Sequence, residues 1–379
     1  MRVAIVTETW PPEINGVALT VQSLARGLRH NGHAVEVIRP SQLSDRENPA
    51  PAEFAELLVG SAALPRYPGL RFGLPSQSRL LRHWHNMRPQ ALYVATEGPL
   101  GHSALSAARR LGIPACTGFH TRFDDFIAHY GFSWMTPLVF AGMRRFHNRA
   151  HATLVPTEEL ALFLRSRRFS NVQLLRRAVD TDLFHPRHRC DSLRASWGIG
   201  AEDIAVVHVG RLAAEKNLDL AVSAFRLIQR DQPTARFVIV GDGPERARIA
   251  AANPDFLFVG MRRGDDLSRH FASGDLFLFP STTETFGNVT LEAMASGLPL
   301  VAFDYGAAHE HVTHAECGFC VPVADSEAFV DAARQLASDR SRRLRMGVTA
   351  RAAVAKLSPD SVGQHFSDLL SLLAQESAA

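Results

Sequence analysis

Twice along this chain a series begins in which a short apolar run, a polar break, a stretch with helical apolar spacing and another apolar run follow one another. Residues 2–7 are apolar and β-branched, and Pro11, Pro12 and Gly16 break the run. Val17, Val21, Leu24, Ala25 and Leu28 then keep helical spacing, Gly32 ends it, and residues 34–38 are extended again. Such units build parallel sheets whose faces are covered by helices. The first series continues with strands at 91–95, 114–117, 152–156 and 172–175 and helices at 105–111 and 158–167. Residues 41–65 are polar and proline-containing and read as a long loop, and 186–189 read as a linker. The second series has strands at 204–209, 236–240, 256–259, 276–279, 299–302 and 319–322, with helices at 218–229 and 289–296. A chain of 379 residues holds about two domains of ordinary size. The expected fold is α/β, with two Rossmann-like domains facing across a cleft, residues 1–183 and 184–357. Ligands in such sheets sit beyond the carboxyl ends of the strands.

Composition narrows the class. No run approaches the roughly 20 apolar residues of a spanning helix, and residues 1–10 lack the pattern of a cleavable leader. Four cysteines are too few for a disulfide scaffold and fit a reducing compartment, so a cytoplasmic location is expected. Residues 1–180 hold 21 Arg and 13 acids, a balance of +8, while the remaining 20 basic and 25 acidic residues give −5. A basic half and an acidic half suit different partners, although a genome preferring Arg codons also accounts for the arginines. No aromatic platform or recognition motif points to nucleic acid.

Two segments carry the chemistry. Gly210-Arg211-Leu212-Ala213-Ala214-Glu215-Lys216-Asn217 joins a strand to a helix. Two cations five residues apart at a helix amino end can hold a diphosphate, and the plainer reading is a solvated charged loop. In residues 281–297, Glu284 and Glu292 stand eight apart around Phe286-Gly287-Asn288, which opens a helix. A carboxylate one turn into such a helix can accept both hydroxyls of a ribose, and Glu284 can accept sugar hydroxyls. The plainer reading is a capping acid and an exposed helical glutamate.

The pair Glu284 and Glu292, followed by Ala293 and Ala295-Ser296-Gly297-Leu298-Pro299, resembles the E-x7-E signature of retaining GT-B glycosyltransferases of family GT4. The turn Gly241-Asp242-Gly243-Pro244, the junction Arg177-Ala178-Val179-Asp180 through Phe184, residues 11–17 and Phe119-His120-Thr121 stand in the order that family shows. Ala178 departs from a position often held by Gly. The resemblance covers nearly the whole chain and is greatest toward GDP-mannose-dependent α-mannosyltransferases. It implies a hexose, mannose or else a UDP-linked glucose, moved to a lipid or saccharide hydroxyl by a front-face mechanism without a metal or other cofactor.

Carried over by position, the resemblance makes His120, Glu284, Arg211 and Lys216 catalytic. Gly16, Gly210, Gly241, Gly243, Val259, Met261, Phe286, Gly287, Asn288 and Glu292 complete the donor site. Asn15, Arg122 and Asp124 would line the acceptor side, and a final helix over 358–375 would return to the first domain. Three rivals share parts of this pattern. A nucleotide-sugar epimerase shares the architecture. A dehydrogenase would need the G-x-G-x-x-G turn that residues 7–17 lack. A non-catalytic nucleotide-sugar-binding protein would keep the site and lose turnover.

Other signals are weaker. Cys317-Gly318-Phe319-Cys320 lacks a second pair for zinc, and Asp265-Asp266 beside Arg262 and Arg263 reads as a helix cap. Residues 70–88 interleave Leu70, Phe72, Leu74, Leu80, Leu81 and Trp84 with Arg71, Arg79, Arg82 and Arg88. This pattern suits either an anionic membrane surface or an amphipathic helix packed on the first sheet.

Overall fold

The computed structural model describes residues 1–13, 15–42, 45, 53–63, 71–120, 136–284 and 286–377. The chain divides into two compact units, Met1–Ala178 with Pro359–Ala379, and Val179–Ser358. Each is a Rossmann-like half built on a parallel sheet.

The first sheet contains β1 (Arg2–Val6), β2 (Ala34–Pro40), β3 (Ala55–Val59), β6 (Ala91–Val94), β7 (Ala115–Gly118), β8 (Ala152–Val155) and β9 (Val172–Leu174). Their order is β3-β2-β1-β6-β7-β8-β9, all parallel. Side chains alternate across a strand, so β1 divides its residues between two cores. Val3 and Ile5 pack with Val21, Leu24 and Phe366 under the helices Gly16–His30 and Pro359–Glu376. Ala4 and Val6 pack with Leu80, Trp84 and Leu105 under Gln77–Asn86 and Pro99–Leu111. Burial on both faces explains why these strands read as unbroken apolar runs.

The second sheet contains β10 (Ala205–Val209), β11 (Arg236–Val240), β12 (Leu257–Gly260), β13 (Leu276–Phe279), β14 (Leu300–Phe303) and β15 (Gly318–Val321). Its order is β12-β11-β10-β13-β14-β15, all parallel. Counted from β10 as the first strand, this is the 3-2-1-4-5-6 order of the Rossmann fold. The helices Leu218–Asp231 and Ser326–Ser338 cover one face. Asn288–Ala295 and Arg340–Val354 cover the other.

Two expectations are corrected. Residues 41–65 are not all loop. Ala55–Val59 joins the sheet edge beside β2, and β4 (Ser61–Ala63) pairs antiparallel with β5 (Arg71–Gly73). The edge strand escaped notice because Glu56 interrupts its apolar pattern, yet that carboxylate serves the fold by pairing with the buried Arg39 at 2.7 Å. Residues 186–189 are no free linker. Pro186–His188 is a 3-10 turn, and Arg189 bonds the Gly274 carbonyl at 3.0 Å and the Asp275 carboxylate at 2.8 Å.

The basic, apolar stretch around residue 80 is a helix packed on the first sheet, with Leu80 and Trp84 fully buried. Its apolar anchors serve the core, and Arg79, Arg82 and Arg88 stay exposed. Among the described residues no helix is long and apolar enough to cross a membrane.

The final helix lies against the first one through two glycines. A Cβ added to Gly27 would come within 2.7 Å of Gly363 Cα, and the reverse holds for Gly363. We expect Gly363→Ala to force the helices apart and cost about 1–3 kcal/mol, the usual cost of overpacking. A calorimetric Tm equal to that of the wild type would show that the crossing yields freely.

Candidate active site

In an open parallel sheet, crossovers leave in opposite directions where the strand order reverses, and a crevice opens at the strands' carboxyl ends. In the second sheet that point lies between β10 and β13. Gly210–Asn217 follows β10, and residues 280–288 follow β13. The reversal therefore gathers Gly210, Arg211, Lys216, Glu284, Phe286, Gly287, Asn288 and Glu292 on the two loops and the helix that border it.

The first loop is held by backbone. Leu212 N–H donates to the Asp242 carbonyl at 2.9 Å, and Glu245 N–H donates to the Leu212 carbonyl at 2.9 Å. A Cβ on Gly241 would lie 1.9 Å from the Gly210 carbonyl oxygen, and one on Gly243 would lie 2.3 Å from that of Leu212. Gly241 and Gly243 are thus glycines because the neighbouring turn lies against them. The second loop is stitched to the first. Thr282 N–H and its hydroxyl donate to the Glu215 carbonyl at 3.0 and 3.2 Å.

The charges are unevenly satisfied. Lys216 pairs with Glu284, both about one-sixth exposed, and Ser281 Oγ donates to the same carboxylate at 3.0 Å. Arg211 is exposed, and among the described residues no carboxylate pairs with it. Gly287 sits in the left-handed region at φ +92° and precedes the helix Asn288–Ala295. A side chain would be strained at this position. Phe286 is buried, and its carbonyl accepts from Ala307 N–H at 2.7 Å. Glu292 is half-buried, and its carboxyl makes no hydrogen bond or ion pair with any described residue. Burial alone raises its carboxyl to about 7. An unpartnered carboxyl with a raised pKa, at a strand-order reversal that also carries an exposed cation, marks a candidate ligand site.

Val259 lies in the edge strand β12, two strands from the reversal, and Met261 follows it with more than half its surface exposed. Beneath the first loop, His208 is buried in β10. Its Nδ1–H donates to the Leu278 carbonyl at 3.0 Å, and Nε2 has no partner. Burial lowers this imidazole to about 4. Sequence reading passed over it, although a histidine within an apolar strand was the available signal.

In the first unit, Asn15 and Gly16 begin the helix after β1. Asn15 Oδ1 accepts from Ala18 N–H at 2.8 Å, and its Nδ2 donates to Thr9 Oγ1 at 2.7 Å. Asn15 thus caps this helix, and Gly16 is its exposed first residue. His120 follows β7 and is buried, with Nε2 2.6 Å from Tyr93 Oη and Nδ1 2.6 Å from Arg177 Nη2. Both ring nitrogens are therefore occupied. Burial and the Arg177 charge hold the imidazole well below its ordinary pKa. Arg177 opens the junction motif and Tyr93 stands in an apolar strand, but nothing in the sequence joins either to His120, because only the strand order brings them together. Arg122 and Asp124 lie outside the described residues.

Asp266 pairs with Arg262 at 3.0 Å in the first turn of Gly264–Ala272. Cys317 Sγ accepts from Thr313 N–H at 3.1 Å, and burial pushes the Cys320 thiol up to about 12. Among the described residues no three His, Cys, Asp or Glu side chains cluster as a metal set.

Comparison with known proteins agrees with this geometry. Residues 14–183 match the family described as Glycosyltransferase Family 4, and residues 203–339 match Glycosyl transferases group 1. A GDP-mannose-dependent alpha-mannosyltransferase of Mycobacterium tuberculosis is 35% identical over 355 residues, which cover 90% of this chain and 89% of the relative. Sulfoquinovosyl transferase SQD2 of Arabidopsis thaliana is 30% identical over 368 residues, covering 94% and 70% respectively. The solved structure of Anabaena Alr3699/HepE in complex with UDP shares the fold at a TM-score of 0.78 and 19% identity, covering 98% of this chain and 100% of that one.

Glu292 makes a pH prediction. Its carboxyl titrates near 4.5 unfolded and about 7 folded. Between those values the folded state holds more protons, so stability falls as pH rises through the window. Glu292→Gln removes this loss. Its Tm should equal the wild-type value at pH 4 and exceed it at pH 8, by the equivalent of about 2–3 kcal/mol. Superimposable calorimetric curves at both pH values would contradict the burial argument.

Proposed function

Because the chain belongs to glycosyltransferase family 4, with its GT-B architecture, we propose that it moves mannose from GDP-mannose, with retention, to a hydroxyl of a lipid or saccharide acceptor. The observation that carries this reading is the half-buried carboxyl of Glu292, unpartnered among the described residues, at a strand-order reversal that also carries Arg211, which no described carboxylate offsets. A nucleoside diphosphate sugar supplies what both groups lack: ribose hydroxyls for Glu292 and a diphosphate for Arg211. The choice of mannose follows relatives at 31–35% identity named as GDP-mannose-dependent α-mannosyltransferases.

In this reading Arg211 takes the diphosphate first, and Lys216 leaves Glu284 to join it. The freed Glu284 carboxylate accepts hydroxyls of the sugar. The helix beginning at Asn288 adds backbone N–H donors and the positive end of its dipole. Gly210, Gly241 and Gly243 act by letting the two turns close up beneath the diphosphate, and Val259 and Met261 border the base. In the same reading the Nε2–H of neutral His120 passes from Tyr93 Oη to a sugar hydroxyl, the sugar-contacting role that the family likeness gives this position. Asn15, with Arg122 and Asp124, belongs to the acceptor side, and Gly16 to the donor site.

As the sugar bond breaks, the leaving diphosphate gains charge and deprotonates the acceptor hydroxyl on the same face. The two cations stabilise that charge where a metal ion would otherwise serve, so no metal enters. Fixed charges aimed at a developing anion are effective because they need not reorganise. Exposed Arg79, Arg82 and Arg88 suit an anionic membrane if the acceptor is a lipid, as in the glucosyldiacylglycerol synthases among the relatives.

A second reading has a specific observation behind it. One relative at 30% identity is named a sulfoquinovosyl transferase and not a mannosyltransferase, so the sugar moved varies among the relatives, and a UDP-linked hexose is the alternative donor. Thermal shift with GDP, GDP-mannose, UDP and UDP-glucose, each with and without EDTA, separates the two. A ligand at 100 times its Kd adds about 2.7 kcal/mol. Stabilisation by GDP compounds alone, unchanged by EDTA, is the expected result, and stabilisation by UDP compounds alone would move the donor. Arg211→Ala and Lys216→Ala should each lower kcat/KM for GDP-mannose by about 100- to 1000-fold, the range for losing one charge-stabilising donor. Unchanged kinetics in both variants would remove the diphosphate clamp.

A further inference from the structure

Arg177 is more than nine-tenths buried, and among the described residues it has no carboxylate partner. Among the described residues its Nε has no hydrogen-bond partner. The one side-chain bond it makes to a described residue runs from Nη2 to His120 Nδ1 at 2.6 Å. A buried guanidinium without a counter-ion destabilises a fold, and an apolar residue of similar size would serve packing better. What this residue does is therefore to be sought in its one contact.

A guanidinium has donors and no acceptor, so His120 Nδ1 must present its lone pair. A neutral imidazole carries one proton, and that proton then sits on Nε2 and is donated to the Tyr93 phenol oxygen 2.6 Å away. The three groups are closely confined. A Cβ on Gly118 would come within 2.2 Å of Tyr93 Oη and 2.4 Å of His120 Nε2. A proton added at Nδ1 would set N–H against N–H and cation against cation, away from water.

The other groups around the ring do not offset this. His147, from the helix Thr136–His147, bonds Thr117 Oγ1 at 2.8 Å and the Glu97 carboxylate at 3.1 Å. Glu97 is thereby engaged by His147 and not by His120. From β7 comes the buried Cys116 thiol, whose pKa burial raises. From the final helix comes Phe366, edge-on to Tyr93 at 5.0 Å.

We propose that Arg177 is a positioning residue that locks His120 as the neutral tautomer protonated on Nε2, and so keeps sugar transfer independent of pH across the acid range. This inference rests on the role given to His120 above.

The test uses the full chain labelled with nitrogen-15 histidine, followed by NMR between pH 5 and 8, alongside the pH dependence of mannosyl transfer. Wild-type His120 should stay an Nε2–H tautomer and not titrate. In Arg177→Gln, whose amide can also accept, the Nδ1–H tautomer should appear and the pKa of His120 should rise, since the Arg177 charge is gone while the burial remains. The variant's kcat should then fall toward acid pH where the wild-type profile is flat, with donor KM changed less, and Arg177→Lys should restore the flat profile. A wild-type His120 protonated on Nδ1, or one titrating near 6.5, overturns the proposal even if the Gln variant does not fold. A Gln variant whose His120 neither titrates nor changes tautomer overturns it too. If the NMR behaves as expected while the kcat profile stays flat, the lock stands and the role given to His120 falls.

Discussion

The second unit depends on the reversal of strand order at β10. With β11 and β12 to one side and β13 to β15 to the other, the chain leaves β10 and β13 toward opposite faces of the sheet. No crossover covers the gap, so two loops meet there with their backbones available to a ligand. The donor-site groups on the loops after β10 and β13, Gly210, Arg211 and Lys216 on one and Glu284, Phe286 and Gly287 on the other, with Asn288 and Glu292 in the helix that follows, are placed by that one topological fact. The apolar strands that give nothing to chemistry are what hold the reversal in place, because a parallel sheet buried on both faces cannot slip by one residue without turning its whole pattern inside out.

Close backbone contact makes the loops rigid enough to matter. The glycines at 241 and 243 let one turn lie directly on another, and the hydroxyl and amide of Thr282 fix the second loop to the first. On this frame the charges are left incomplete. Lys216 and Glu284 satisfy each other, while among the described residues no carboxylate pairs with Arg211 and no polar group meets the Glu292 carboxyl. An apo site in this condition has unfavourable electrostatics that a ligand carrying phosphates and hydroxyls relieves.

The first unit solves the opposite problem. Around His120 both imidazole nitrogens are bonded, and His147 is likewise engaged on both sides. The histidine is thus held in one protonation state and one orientation. The unpaired feature is displaced one residue outward, onto Arg177, whose charge pairs with no carboxylate among the described residues.

Several parts of this picture were legible in the amino-acid order. The repeated strand–helix series, the loops after β10 and β13, and the pair Glu284 and Glu292 are local patterns, set by side-chain periodicity and by spacing along one segment. The strand at Ala55–Val59 was hidden because an edge position tolerates the polar residues that a central strand would not. The Lys216–Glu284 pair, 68 residues apart, and the Tyr93–His120–Arg177 group, spanning 27 and 57 residues, could not be read in advance. Sequence alone determined which residues are apolar, which are charged and which turns require glycine, since those follow from the chemistry of neighbours. Only the tertiary structure decided which charges meet and which stay unpaired, because strand order, not distance along the chain, brings those side chains together.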